Sequence, residues 1–242
     1  MLEIIHGVVL RKVKFSDTKM IVDLFTLGHG RQSFVTTISH SGHSKSQMAV
    51  WSPLSMVELN ADIRPNGQLP KPKNIRLYNI YSDIPYNPLK STIALFLSEF
   101  LSASLKDESV NVPLYRFLET SLQWFDQMEE SSSIANFHLI FMLRLSRFIG
   151  IMPNSEESDF KYFDLMSATF TSSRPSHTYF LSQEESRVLP LLLRLDYSTM
   201  HLLRLTRTER ARCLDAILTY YRLHIPSFPE LKSTKVLHEV FA

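Results

Sequence analysis

The feature that most constrains the fold is a change of hydrophobic period near residue 86. Before it, short runs rich in β-branched and aliphatic residues alternate with turns that contain glycine or proline, a pattern typical of β-strands. After Tyr86-Asn87-Pro88, apolar residues recur every three or four positions, which indicates amphipathic helices. A chain of 242 residues, 44% of them hydrophobic, can bury a core in each part. We therefore predict an α+β protein of two domains, residues 1–80 and 86–242.

The first domain is predicted to contain five strands. They are Ile4–Val13, Met20–Leu27, Arg31–Ile38, Leu54–Ile63 and Lys73–Ile80. The sequence indicates turns near residues 15–17, 28–30 and 65–67, and a polar stretch over residues 39–47. Five short strands without an intervening helical pattern favour a small Greek-key barrel of the OB type.

The second domain is predicted to be all-helical. Apolar faces indicate helices within residues 89–105, 114–125 and 134–149, and residues 232–241 form a final short helix. The third of these segments is apolar nearly all round, which predicts a helix at the centre of a bundle. Capping boxes at residues 182–185 and 206–209 start two further helices. Residues 154–180 are polar and are predicted to be irregular.

The charge is distributed unevenly along the chain. Residues 1–80 hold ten basic against five acidic side chains, residues 81–200 nine against fifteen, and residues 201–242 seven against four. Basic ends around an acidic middle suggest that a polyanion contacts the two ends. Uneven surface charge without any partner explains the same pattern, and charge alone does not decide between the two.

Composition excludes several classes of protein. The single cysteine, Cys213, rules out an internal disulfide and a cysteine-cluster zinc site, and it fits a reducing cytoplasm. The first residues lack a secretory signal pattern, and charges interrupt every apolar run well before ~18 residues. We therefore expect a cytoplasmic protein without a membrane span and without a cofactor.

No enzyme constellation is recognisable. The chain has no phosphate-binding glycine loop. His40 and His43 flank a glycine, but carboxylates and thiols that could complete a metal site are absent nearby. Cys213 lies beside the apolar face of a predicted helix, which favours a buried and inert thiol. We predict that the protein is not an enzyme.

The basic residues of the first domain fall at turns and strand edges. They are Arg11, Lys12, Lys14, Lys19, Arg31, Lys45, Lys71, Lys73 and Arg76. On an OB barrel these positions border the groove where single-stranded nucleic acid is bound, with cations on phosphates and aromatic rings on bases. Phe34 and Trp51 are candidate stacking residues, although a tryptophan at the start of a strand suits a core position equally well.

Two further basic groups lie in the helical domain. Arg207 and Arg210, three residues apart on one helix face, suit capture of a phosphate or carboxylate; a solvated helix end with local acidic partners is the alternative. Arg144 and Arg147 interrupt an otherwise apolar helix. Either they reach the surface at the edge of the bundle, or they hold an acid. With Phe141 and Phe148 beside them, they suit an acidic peptide with an aromatic tip.

Short motifs resemble the bacterial recombination mediator family RecO. In the first domain they are Gly7-Val8-Val9-Leu10, Phe15-Ser16-Asp17, Gly30-Arg31, Lys45-Ser46 and Pro53-Leu54. In the second they are residues 94–101, residues 137–153 and Leu231-Lys232-Ser233-Thr234-Lys235-Val236-Leu237. The resemblance covers nearly the whole chain, and it rests on the order and spacing of these motifs together.

The resemblance implies an N-terminal OB-fold, a C-terminal helical domain and a role in recombinational gap repair. It implies binding of single- and double-stranded DNA, annealing of complementary strands, displacement of single-strand-binding protein, and loading of RecA together with RecR, at the nucleoid. It also implies recognition of the acidic, phenylalanine-ended tail of single-strand-binding protein, for which Arg144 and Arg147 are the candidates.

The sequence departs from the family pattern in two places. Many members carry a four-cysteine zinc module after the equivalent of residues 150–153, where this chain has no cysteine, so we predict no zinc. The loop before Lys45 is less basic than in the family, and His40 and His43 in it would strengthen DNA binding in mild acid.

The alternative to a DNA-binding mediator is a protein–protein adaptor whose barrel docks a partner with little direct DNA binding.

Overall fold

In a computed structural model the chain consists of a five-stranded antiparallel sheet followed by helices. The structure describes residues 2–38, 48–63, 68–156 and 161–240. Lys45, His40 and His43, on which the loop hypotheses rest, lie outside these residues.

Two compact units are present. The first comprises residues 1–127 with 231–237, and the second comprises residues 128–230 with 238–242. The division at residues 81–85 stays a prediction of the sequence.

The sheet of the first unit confirms the predicted strands. They are β1 (Glu3–Lys14), β2 (Lys19–Thr26), β3 (Gly30–Thr37), β4 (Met56–Ala61) and β5 (Lys73–Asn79). Their order in the sheet is β3-β2-β1-β4-β5. The backbone amide of Val35 in β3 donates to the carbonyl of Pro70, just before β5, at 3.1 Å. The sheet therefore curls towards an OB-type barrel, as the sequence predicts.

The barrel core lies on one side of this sheet. It is formed by buried aliphatic and aromatic side chains, among them Val9, Val22, Phe34, Trp51 and Leu59. Residues of β1 with the opposite orientation, Val8 and Leu10, are also buried. The hydroxyl of Ser98 donates to the carbonyl of Leu10 at 2.6 Å, so a helix covers this second side.

That helix is α1 (Pro88–Ser104), which is followed in the same unit by α2 (Val112–Gln127). The side chain of Asn87 accepts hydrogen bonds from the amides of Leu89 and Lys90, and Pro88 occupies the first turn, so the helix begins as the sequence predicts. The fully buried Lys90 donates to the carbonyl of Asp126 at 2.7 Å and lies 2.6 Å from a carboxylate oxygen of Asp83. These bonds tie the segment before α1 to both helices.

The second unit is built around α3 (Ser131–Phe148), as expected for a helix that is apolar all round. The helices after it are α4 (Gln183–Ser186), α5 (Leu189–Arg194), a 3₁₀ turn (Met200–Leu202) and α6 (Arg207–His224). The predicted capping boxes start α4 and α6. The final helix, α7, spans Ser233–Val240. No helix of the described residues is long and apolar enough to cross a membrane.

The segment 154–180, predicted to be irregular, lacks regular structure over most of its described residues but contains short strands that the sequence did not predict. Three short strands form a second sheet in the order β7-β6-β8: β6 (Tyr162–Asp164), β7 (Thr169–Thr171) and β8 (Phe180–Leu181). Phe163 and Phe170 are buried and meet edge to face, with ring centroids 5.0 Å apart. This aromatic contact stabilises the small sheet through burial of apolar surface.

Candidate nucleic-acid interface

The candidate interface is built on the hairpin that joins β1 and β2. β1 pairs with β4 only as far as Val8, whereas its ladder with β2 continues to the pair Lys14 and Met20. The amides of Phe15 and Ser16 both donate to the carbonyl of Lys19, which closes the turn. Every residue from 11 to 19 is exposed. We refer to residues 11–19 as the hairpin arm.

The hairpin arm carries three exposed lysines. Lys12 and Lys14 stand on one side of the ladder, opposite Val22 and Met20, because directly paired residues share a face. Lys14 lies 2.9 Å from the carboxylate of Asp17, but both side chains are solvated, so this pair is weak and easily exchanged for another anion. Lys12 and Lys19 form no ion pair within the described part of the chain.

An exposed aromatic ring completes the hairpin arm. Phe15 is 67% exposed, although burial is the usual state of a phenylalanine. The sequence marks Phe15-Ser16-Asp17 as a turn, and we did not predict a binding role for its ring. The signal was present in the sequence, because an aromatic residue at a turn flanked by lysines has no core to enter. The hairpin arm therefore offers both cations and a stacking surface.

Arg31 is not part of this surface. Its side chain is only 14% exposed and lies 3.0 Å from the Asp23 carboxylate, which also binds Arg11 at 3.0 Å and the Ser33 hydroxyl at 2.6 Å. Arg31 further donates to the backbone carbonyl of Ser102 in α1. We refer to Asp23, Arg31, Ser33 and Ser102 as the Asp23 cluster. It fastens the barrel to α1, so we remove Arg31 from the predicted DNA-binding residues.

Arg11 lies between these two environments. Its guanidinium donates to Asp23 at 3.1 Å through Nε, yet the side chain is 56% exposed. Asp23 therefore orients Arg11 without burying it. A phosphate can reach the exposed edge of the guanidinium while the bond to Asp23 persists.

The remaining predicted cations of the barrel, Lys73 and Arg76, lie on β5 and are exposed. Arg76 is bound to Glu58, with Nη2 2.6 Å from Oε1, and this hydrogen bond lowers the pKa of the Glu58 carboxyl. Lys73 pairs in register with Asn60. The strand that contains Lys73 begins just after Pro70, which bonds to β3. Because Glu58 engages Arg76, Lys73 is the freer of the two for a phosphate.

The predicted stacking roles of Phe34 and Trp51 are wrong. Phe34 is fully buried and Trp51 is 2% exposed, and both belong to the barrel core. Phe34 pairs with Val22 across β2 and β3, which places both side chains on the core side of the sheet. The core alternative for Trp51 is confirmed.

In the second unit, Arg207 is exposed at the start of α6. Arg210 is held instead by neutral acceptors: Nε donates to the side-chain oxygen of Asn136 at 3.0 Å and Nη2 to the carbonyl of Leu205 at 3.2 Å. Burial lowers the pKa of Arg210, although it stays charged. Arg207 therefore remains the better candidate for an anion.

Arg144 and Arg147 reach the surface of α3, three residues apart. The guanidinium of Arg144 lies 5.5 Å from the ring centroid of Tyr197, a cation–π contact that the sequence did not predict. Phe148 is half-buried, whereas Phe141 is fully buried. The predicted contact of Phe141 with a peptide is therefore wrong, because the residue faces the core.

The described residues contain no group of three or more histidine, cysteine and acidic side chains that could hold a metal. Burial raises the pKa of the Cys213 thiol to about 11, so it is protonated and a poor nucleophile near neutral pH. The imidazole of His138 is fully buried, which lowers its pKa to about 3. These groups give the described part of the chain no recognisable catalytic centre.

Two family models together match most of the chain. Residues 1–81 match "Recombination protein O N terminal" and residues 85–235 match "Recombination protein O C terminal". The DNA repair proteins RecO of Phocaeicola vulgatus and Bacteroides fragilis are each 44% identical over 243 residues, covering 100% of both chains. That of Flavobacterium johnsoniae is 34% identical over 237 residues, covering 98% of each. The chain therefore belongs to the RecO family.

Proposed function

We propose that this protein is a DNA-binding recombination mediator that acts without catalysis, and that the hairpin arm is its main contact with single-stranded DNA. Relatives that are 44% identical over their full length are DNA repair proteins, which supports a role in recombinational repair. The observation that carries the proposal is the hairpin arm, where three exposed lysines flank an exposed phenylalanine.

The proposed contact is electrostatic first and aromatic second. Lys12, Lys14 and Lys19 neutralise phosphates and release counterions, so affinity falls as salt rises. Phe15 stacks on an unpaired base, which favours single strands over duplex because a paired base hides its face. Phosphate contacts also permit weaker binding of double-stranded DNA. None of these contacts reads a sequence.

The finer activities of a mediator follow from this mode of binding. Contacts to the phosphate backbone leave most base-pairing edges free, which annealing of complementary strands requires. We extend the proposal to displacement of single-strand-binding protein and to loading of RecA with RecR, at the nucleoid. Arg144, Arg147 and Tyr197 support recognition of the acidic tail of single-strand-binding protein, because they combine two exposed cations with an aromatic ring.

The experiment is fluorescence anisotropy of a labelled oligo(dT) titrated with three proteins. These are wild type, an arm variant with Lys12, Lys14 and Lys19 changed to alanine, and a control with exposed Lys106, Arg194 and Arg222 changed to alanine. Both variants lose three positive charges. We expect the arm variant to bind at least about tenfold more weakly at moderate salt and the control to stay within about threefold of wild type. Equal weakening of the two variants would show that only net charge matters.

A second candidate function is the adaptor, and a separate observation favours it. β5 is an edge strand of the sheet, and at its end Ile80 is 77% exposed. An edge strand with an exposed apolar side chain at its end suits docking of a partner protein. Two results together would favour the adaptor. The wild-type protein would bind no oligonucleotide at low salt, and the substitution Ile80→Glu would abolish binding of a partner protein.

A further inference from the structure

The small sheet of the second unit borders a cleft that includes the residues at the start of α4. The cleft has a volume of about 600 Å³, within the ~300–1,000 Å³ range of small-molecule sites. It lies between the sheet and α4. The residues that matter for its chemistry are Tyr162, Phe180, Arg174, Arg187 and Gln183.

Two aromatic rings of the cleft lie on the face of the small sheet that points away from the core. Along β6 the side chains alternate, so buried Phe163 faces the apolar core and Tyr162 faces the other way. Phe180 pairs with Asp164, two residues from Tyr162 on the same face. The rings of Tyr162 and Phe180 meet edge to face at 5.8 Å, and both are half-buried. Because the rings are nearly perpendicular, this pair forms a platform on which a flat group can stack on one ring at a time.

Two arginines supply positive charge at this platform. The guanidinium of Arg174 lies 5.3 Å from the ring centroid of Phe180. This contact positions the group without using its N–H donors. Arg187 is exposed, and neither arginine forms an ion pair within the described part of the chain. Glu184 is the one carboxylate among the lining residues, so the cleft has a net positive charge.

We propose that this cleft binds one nucleotide unit of single-stranded DNA, with the base stacked on Tyr162 beside Phe180 and the phosphate held by Arg174 and Arg187. Guanidinium groups bind phosphate through two parallel hydrogen bonds, and an aromatic ring accepts any base. The exposed amide of Gln183 can donate to a base edge. The inference rests on the proposed single-strand binding and adds to it a second contact, on the small sheet.

The chemistry favours a nucleotide over an acidic peptide. Glu184 in the cleft lining repels a segment with several adjacent carboxylates more strongly than a nucleotide, which brings one charge together with a flat ring. The half-buried ring of Tyr162 offers that flat group a stacking surface. A purely acidic ligand would leave this aromatic surface unused.

The test uses the full chain and an oligonucleotide that carries 5-iododeoxyuridine, a base that crosslinks to aromatic side chains on irradiation. Crosslinked peptides are mapped by mass spectrometry in wild type, in the variant R174Q/R187Q, and in the matched control R194Q/R222Q. We expect crosslinks to Tyr162 or Phe180 in wild type and in the control. In R174Q/R187Q they should fall at least about fivefold, while crosslinks to Phe15 persist.

The outcomes separate this inference from the proposed function. Crosslinks confined to the hairpin arm would overturn the cleft and leave the proposed function intact. Cleft crosslinks that survive in the arm variant would support the cleft even if the arm fails to bind DNA. Binding of a hexaglutamate peptide that depends on Arg174 and Arg187, without crosslinks in the cleft, would overturn the nucleotide assignment. Thermal unfolding checks that each surface variant is folded.

Discussion

The hairpin arm and the Asp23 cluster use cationic side chains from neighbouring strands for opposite purposes. In the cluster, Arg31 is enclosed by a carboxylate, a hydroxyl and a backbone carbonyl, and it is 14% exposed. In the arm, Lys12 and Lys19 are exposed and form no ion pair within the described residues. The surroundings of a cation, and not its position in a basic segment, decide whether it can bind a phosphate.

The largest effect is expected when the Asp23 cluster is broken. Asp23→Ala leaves the nearly buried Arg31 without its carboxylate, so we expect the free energy of unfolding to fall by about 3–5 kcal/mol. Asp17→Ala, which removes the exposed partner of Lys14, should cost less than about 0.5 kcal/mol. Urea denaturation of the two variants measures the difference. Similar stabilities would mean that the cluster is no more structural than the arm.

The glycines at the β2–β3 turn sharpen the same contrast between enclosed and open positions. Gly30 has a φ of +61°, and a Cβ there would lie 2.5 Å from the backbone carbon of Ser109. We expect Gly30→Ala to lower the free energy of unfolding by about 2 kcal/mol or more. At Gly28 a Cβ would meet no atom within 4 Å, so Gly28→Ala is the matched control. Equal shifts of the unfolding temperature in the two variants would contradict the predicted clash at Gly30.

The aromatic part of the hairpin arm should affect binding without affecting stability. Phe15→Ala removes the exposed ring, and we expect the affinity for oligo(dT) to fall by about 1–2 kcal/mol. Val13→Ala, on the same arm, should leave the affinity within about twofold, because valine offers no ring for stacking. Anisotropy titrations at one salt concentration compare them. A stability loss in Phe15→Ala with unchanged affinity would assign the ring to packing.

The smallest effect concerns a carboxylate that is structural like Asp23. Burial alone would raise the pKa of Asp126, but the amides of Ile84, Ser82 and Asp83 donate to it and lower the pKa overall. The stability that this shift contributes is present above the ordinary aspartate pKa of ~3.9 and is lost as pH falls through the lower folded value. Chemical denaturation between pH 5 and pH 2 should show a shallower decline for Asp126→Asn. Parallel curves would contradict the shift.

Local signals predicted most of the fold. The period change at residue 86, the capping residues Ser182 and Thr206, and the turn before Lys19 all appear where the sequence indicates them. The strands β6 to β8 were missed because none is longer than three residues, too short for a period to show.

The candidate site was harder to predict, because it depends on the direction in which each side chain points and on partners that are far away in the sequence. Arg31 bonds to Ser102, 71 residues away, and no local pattern reveals such a partner. Phe34 and Phe15 are the same residue type, and only the strand register shows that Phe34 faces the core. Phe141 lies on a helix that is apolar all round, so its orientation could not be read from a period.

The most direct test is the dependence of oligo(dT) affinity on salt, measured in parallel for wild type, the arm variant and Arg31→Gln, at a temperature where all three are folded. The slope of log affinity against log salt is about −0.7 per phosphate contact on a single strand. The account predicts that the slope becomes shallower by about 2 in the arm variant and is unchanged in Arg31→Gln. An unchanged slope in the arm variant, or a shallower one in Arg31→Gln, would contradict it.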